Sequence, residues 1–346
     1  MTRIVSLSAK PYEIPLKRTF ATSQGSTDTA RGVSILLKLE GGQEVHGESV
    51  PVAYVTHESV ETVIATVEHL APNLIGKDVM SYAHLMHEIN SFAHDAPSAR
   101  LGLEMAILKA WSFYTGVSLW KLFGGALHSL QSDITIPLVE NATLLAKDAI
   151  AANIHTLKVK VGSPNYMDDI ERVKAIAMAA PSAKLRIDAN QAYTAIEALK
   201  FVDSLTRLNI IPELLEQPTP ASDPAALAEV AKYSSVPVFA DESCCTPYQA
   251  LKLAETPVQG FNLKLNKSGI RGVLDIIAIG RSASKILMIG CMLETRMSVA
   301  ISVALACGTG AFRYIDLDSH LLLNETGENP YFTQDGACIT LGEGMI

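Results

Sequence analysis

From Lys158 onwards, charged side chains recur along this chain at the ends of otherwise apolar segments. LKVK closes on Lys158 and Lys160, LRID on Asp188, LLE on Glu216, VFAD on Asp241, NLK on Lys264, and YIDLD on Asp316 and Asp318. From Lys160 to Lys264 each charge follows the last by about 25 residues, the length of one strand, one helix and two loops. Three carboxylates at equivalent places in neighbouring units would repel unless protons or a metal neutralised them. Oxygen-only ligands, with no His or Cys among them, suit a hard cation such as Mg2+. The competing reading is that Asp188, Glu216 and Asp241 each cap the helix that follows. Three in consecutive units, interleaved with lysines, favour the metal.

Lys158 and Lys160 alternate on one strand and so point to the same side, while Lys264 belongs to a strand across the rim. Ammonium groups on opposite faces of a bound molecule can remove a carbon-bound proton and return it from behind, as a racemase or epimerase requires. Neighbouring cations and partial burial are expected to lower a lysine pKa towards neutrality. A lone KxK would be read as a solvated strand end.

These charges need a frame. From Ser132 eight short β-rich runs alternate with amphipathic helices: DITIPLV, TLKVKV, KLRIDAN, ELLEQP, VPVFADE, GFNLKLN, KILMIGC and FRYIDLD. Nearly continuous apolar strands separated by helices imply a parallel sheet buried on both faces and closed on itself, with catalytic groups at its C-terminal rim. The expected fold is α/β, a modified (β/α)7β TIM-type barrel spanning 126–320. Residues 1–125 read as an α+β capping domain, with a hairpin turn at Gly41-Gly42 and three helical stretches, the last stopping at Gly124-Gly125. The strand-like tail 321–346 is expected to return to that cap.

The chain has 346 residues, 36 acidic against 28 basic, for a net charge of −8. That balance offers no electrostatic reason to bind nucleic acid or an anionic membrane. The opening residues lack the long apolar segment of a signal peptide or membrane span, and five cysteines without a CxxC pair read as reduced thiols. A cytoplasmic location is expected.

LKVKVG, RIDANQAY, LLEQP, VFADES and NLKLNKSGI, in this order and spacing, resemble the muconate-lactonizing subgroup of the enolase superfamily, and the likeness covers nearly the whole chain. The resemblance implies Lys160 and Lys264 as the acid/base pair, Lys158 as the group that polarises the substrate carboxylate, and Asp188, Glu216 and Asp241 as Mg2+ ligands. Glu242 would support Lys264 or the metal from behind. Asp316-Leu317-Asp318 is similar to the DxD motif of the dipeptide epimerases, L-Ala-D/L-Glu epimerases among them, where two aspartates hold the α-ammonium group of a dipeptide. Two anions facing one pocket without a second metal do want a cation. Glu294, after the seventh strand, reads as a supporting carboxylate on the same rim. A homo-oligomer is also implied.

Where those glutamate-specific enzymes place an arginine, alignment on Phe20 puts Gly25, so glutamate specificity is not implied. The loop Val50 to Ser59 is expected to cover the mouth, with Tyr54 and Val55 suiting an apolar side chain. His57 reads as exposed, and His84 and His87 as surface groups lacking a third ligand. The implied reaction is epimerisation at the α-carbon of the C-terminal residue of a dipeptide through an enediolate. Muconate cycloisomerase-like or o-succinylbenzoate synthase-like chemistry would use the same lysines and metal, but those substrates bring no ammonium to Asp316 and Asp318. A Schiff-base aldolase is the remaining enzyme reading.

Overall fold

The computed structural model describes residues 1–325 and 331–342. Three antiparallel strands, β1 (Ile4–Thr22), β2 (Gly25–Leu39) and β3 (Glu44–Ser49), open the chain as a meander. Alternate residues Val33, Ile35, Leu37 and Leu39 are buried against the helices Val60–Leu74, Tyr82–Phe92 and Pro97–Thr115, the period-2 pattern of a sheet covered on one face. The helix read as running to Gly124 stops early. Gly116 takes a left-handed φ of 66° after Thr115, and a second short helix, Leu119–Leu122, follows.

After a short strand β4 (Ser129–Gln131), all eight expected runs form parallel strands. They are β5 (Ile134–Ile136), β6 (Thr156–Lys160), β7 (Lys184–Asp188), β8 (Leu214–Glu216), β9 (Val238–Ala240), β10 (Gly260–Leu263), β11 (Ile286–Gly290) and β12 (Tyr314–Asp316), adjacent in sequence order. A parallel bridge between Ser132 and Ile315, with the Asp133 N–H donating to Ile315 O at 3.1 Å, closes the ring. One helix of 8 to 18 residues occupies each of the seven intervals, so the (β/α)7β expectation holds. The main core lies between strands and helices. Inside the barrel, Leu214, Phe239, Met288 and Tyr314 fill the lower layer. Beside them Arg186 pairs with Asp133 at 2.7 Å and stacks over Tyr314.

The tail divides. Leu323 bridges to Leu16, and the Asn324 N–H donates to Pro15 O at 2.9 Å, which ties the chain to β1. The hairpin β13 (Phe332–Asp335) and β14 (Cys338–Leu341) instead pairs with β4, and Phe332 and Ile339 join the barrel core. Leu323 and Asn324 thus lie against β1, while the terminal hairpin extends β4 and turns its apolar face to the barrel. Among the described residues, no helix is long and apolar enough to cross a membrane.

Candidate active site

Strand register sets the charged residues side by side. Lys160 pairs with Asp188, and Asp188 with Glu216, so three neighbouring strands end at one height. Asp241 and Lys264 follow the last residues of β9 and β10 directly. One oxygen from each of Asp188, Glu216 and Asp241 lies within 4.8 Å of the others, and all three residues are buried. Each is held from behind. The Asn190 N–H donates to Asp188 Oδ1 at 3.0 Å from a turn in which Asn190 and Gln191 both have positive φ. Asn262 Nδ2 donates to Glu216 Oε1 at 2.7 Å. Gln217 Oε1 accepts the N–H groups of Asp241 (2.9 Å) and Ser243 (3.1 Å), which fixes the loop carrying Asp241.

The lysines interlock with these acids. Lys158 Nζ lies 3.1 Å from Asp188, 2.9 Å from Glu216 and 2.6 Å from Asp316. Lys160 contacts Asp188 at 2.6 Å, and Lys264 contacts Asp241 at 2.7 Å. The expectation that neighbouring cations would depress the lysines is reversed for two of them. Burial alone would lower Lys158 and Lys264, but Asp316, Glu216 and Asp188 around the first, and Asp241 beside the second, raise both. Among the acids, burial pushes Glu216 up to about 8, helped by Asp188 and opposed by Lys158. Burial also raises Asp241, yet Lys264 and Lys267 override it and hold that group well below the usual carboxylate range. Three buried carboxylates that cannot all ionise comfortably, offering oxygen alone, fit a hard divalent cation.

The lysines and Asp241 open into one cavity of about 340 Å³ between barrel and cap, with Asp188 and Glu216 buried behind its lining. Lys158, Lys160, Asp241, Glu242, Lys264, Asp316 and Asp318 line it. The Thr135 N–H donates to Asp318 Oδ2 at 2.6 Å, while burial and then Asp316 push Asp318 up to about 6. Glu242 accepts from Asn190 Nδ2 at 3.3 Å and is pushed up to about 7 by burial, Asp241 and Asp188.

Glu294 is not brought to the cavity. It is buried in the loop after β11, where the Met292 N–H donates to Oε1 at 2.9 Å and the Ser298 hydroxyl to Oε2 at 2.5 Å. Its carboxylate organises the start of the helix Arg296–Thr309 rather than the rim. His57, His84 and His87 do not line the cavity either.

The cap supplies the outer wall. KRTFATSQGST is strand as far as Thr22 and again from Gly25, and the hairpin tip between them rests on the rim. Ser23 Oγ donates to Asn190 O at 2.9 Å, and Gln24 Nε2 to the same oxygen at 2.7 Å. Gly162 makes this approach possible: a Cβ there would stand 2.6 Å from the Cβ atoms of both Ser23 and Ala192. Val50, Pro51, Val52, Tyr54 and Val55 complete the cover, with a short helix, Ala53–Thr56, inside the expected loop.

Sequence reasoning passed over Lys267, whose ammonium contacts Asp241, together with Asn190, Gln217 and Asn262. It also passed over the Arg186–Asp133 pair below the site. Arg186 stands two residues before Asp188 on one strand, so the strand period already aimed it into the barrel.

Two family models match the chain. Residues 5–124 match the mandelate racemase/muconate lactonizing enzyme N-terminal domain, and residues 141–344 match the enolase C-terminal domain-like model. The L-Ala-D/L-Glu epimerase of Thermotoga maritima is 36% identical, over 97% of this chain and 98% of its own. An aromatic dipeptide epimerase of Herpetosiphon aurantiacus is 34% identical, over 99% and 97%. The crystal structure of a dipeptide epimerase from Enterococcus faecalis, complexed with Mg and the dipeptide L-Leu-L-Tyr, superposes with a TM-score of 0.93 at 29% identity, over 99% of this chain and 98% of that one. The chain is thus an isomerase of the enolase superfamily and belongs to its mandelate racemase/muconate lactonizing enzyme family.

Proposed function

We propose that this chain epimerises a dipeptide at the α-carbon of its C-terminal residue, with Lys160 and Lys264 exchanging the proton. The observation that carries the reading is their placement. β6 and β10 are the second and sixth strands of an eight-stranded ring, so the two ammonium groups enter one cavity from opposite sides. Asp188, Glu216 and Asp241 would hold Mg2+. When bound, that ion supplies positive charge beside the substrate carboxylate, where a carbanion would otherwise be costly.

The remaining work falls to side chains. Lys158 lies between Asp188, Glu216 and Asp316 and stays protonated, so it serves as a fixed positive charge for the substrate carboxylate. One of Lys160 and Lys264 takes the α-proton, leaving an enediolate, and the other donates a proton to the opposite face. Neutralisation of Asp241 would remove the strongest influence keeping the proton on Lys264. Asp316 and Asp318 receive the α-ammonium group, with Thr135 N–H fixing the Asp318 carboxylate. Each relative named above is an epimerase, which supports this reading over a lactonizing or eliminating one.

The test is solvent isotope exchange. Wild-type protein with Mg2+ in deuterated water should label both epimers of a dipeptide at the α-carbon, and chelation of the metal should abolish it. Lys160→Ala and Lys264→Ala should each lose epimerisation, and each should retain exchange with at most one stereoisomer, a different one for each variant. Epimerisation at wild-type rates in both variants would rule out the two-base mechanism.

A further inference from the structure

Three residues after Lys264, a fourth lysine is buried in the same cluster without lining the cavity. Lys267 Nζ is 2.6 Å from Asp241 O and 2.9 Å from Asn262 O, and it also bonds Asp241 Oδ1. Three acceptors account for the three protons of an ammonium group. Its side chain is 0% exposed, so it cannot be a solvated strand-end charge. Lys264 meets the same carboxylate at the other oxygen, Oδ2.

The segment carrying Lys267 is braced on several sides. The Lys267 N–H donates to Lys264 O at 3.0 Å, forming one turn. The helix Leu265–Ser282 is then interrupted at Gly269, with φ 71° and ψ 169°. Arg100 Nη2 donates to Ser268 O at 3.1 Å and Ser268 Oγ to Cys245 O at 2.8 Å. Asn266 Oδ1 accepts the N–H of Val50, at the base of the cavity cover, at 2.8 Å. A side chain on so fixed a turn has one place to put its ammonium.

We propose that Lys267 is a positioning residue for the metal site: by occupying Oδ1 of Asp241 it makes that ligand present a single, fixed oxygen, Oδ2, to the cation. The inference rests on the reading of Asp188, Glu216 and Asp241 as metal ligands. Partners that orient a ligand from behind commonly matter about 10- to 100-fold in metal affinity. The net electrostatic effect argues the other way, since deleting a cation beside an anionic site should tighten binding of a divalent ion. The two influences therefore predict opposite signs.

The experiment is a titration of metal-stripped protein with Mn2+ alone, following free Mn2+ by electron paramagnetic resonance, with circular dichroism to establish folding. Lys267→Met removes both charge and bonds while keeping the apolar stem. Lys267→Arg keeps the charge, but a planar guanidinium cannot sit in a cradle shaped for a compact ammonium. Positioning predicts that both variants bind Mn2+ about 10- to 100-fold more weakly than wild type. Unchanged or tighter binding in Lys267→Met, or wild-type affinity in Lys267→Arg, would overturn it. If one variant does not fold, the other decides; failure of both would assign Lys267 to barrel stability and also overturn the proposal. Wild-type protein that binds no Mn2+ would defeat the metal reading itself, a separate result.

Discussion

At the residue scale, what the sequence made legible was charge where an apolar run should continue. Lys158, Lys160, Asp188, Glu216, Asp241, Lys264, Asp316 and Asp318 lie at or just past the ends of hydrophobic strands, and strand register sets Lys160, Asp188 and Glu216 side by side. Polar groups that hold them from behind were hidden, because an Asn or Gln in a loop has no signature until its partner on another strand is known. Asp318 illustrates the division. Its place on the rim followed from its spacing, but its proton affinity depends on burial and on Asp316, which together push it up to about 6. Below that pH the carboxylate gains a proton and loses its attraction for a substrate ammonium. The wild-type KM for a dipeptide should therefore rise as pH falls through about 6. In Asp318→Asn, KM at pH 8 should be about 10- to 100-fold higher, the equivalent of roughly 1.5–3 kcal/mol for a lost charge-assisted bond. The acid limb contributed by Asp318 should also disappear. Steady-state kinetics from pH 5 to pH 8 check both, and an unchanged KM with an intact acid limb would take Asp318 out of substrate binding.

At the element scale, the strands were readable from their apolar runs, but two features were not. The hairpin tip at Ser23 and Gln24 looks like a loop because its residues are small and polar, and it remains ordered by bonding to the rim at Asn190. The second is a carboxylate at a helix start. Glu104, from the helix Pro97–Thr115, accepts the N–H of Ile270 at 2.5 Å and of Arg271 at 3.3 Å, where the helix resumes after Gly269. A negative charge suits a helix N-terminus, yet complete burial wins and raises Glu104 from 4.5 to about 7. A group whose folded pKa is raised contributes its stability fully below the unfolded value, near 4.5, and loses it as pH climbs through about 7. Glu104→Gln keeps an acceptor oxygen and cannot ionise. Relative to wild type, the variant should gain up to about 3 kcal/mol between pH 5 and pH 8. Urea unfolding of both proteins at the two pH values measures this, and a constant difference would show that Glu104 is already ionised at pH 5 in the folded protein.

At the scale of the whole molecule, neither cap nor barrel forms the site alone. The barrel contributes the charges, and β1, β2 and the cover from Val50 to Val55 contribute walls without free charge. Phe20, Leu293 and Leu322 meet around Ala30 in an apolar cluster that continues into the cavity. Among the described residues lining the cavity, Arg31 and Glu242 are the charges outside the proposed reaction set. Arg31 is mostly exposed and paired with Glu13 at 2.9 Å, and Glu242 lies beneath the rim against Asn190. A dipeptide bringing an acidic or basic side chain would have to bury it here without a partner, which is costly. An aliphatic or aromatic side chain would instead gain roughly 1.5–3 kcal/mol by leaving water. Dipeptides with apolar side chains should accordingly show kcat/KM at least about tenfold above those carrying Glu or Lys. Leu293→Arg, which plants a cation on the wall, should shift the preference towards acidic side chains. Deuterium uptake across a dipeptide library, read by mass spectrometry for both proteins, decides the matter. Wild-type preference for a glutamate side chain would show that the wall does not select, whereas exchange with no dipeptide at all would refute the reaction and leave the wall untouched.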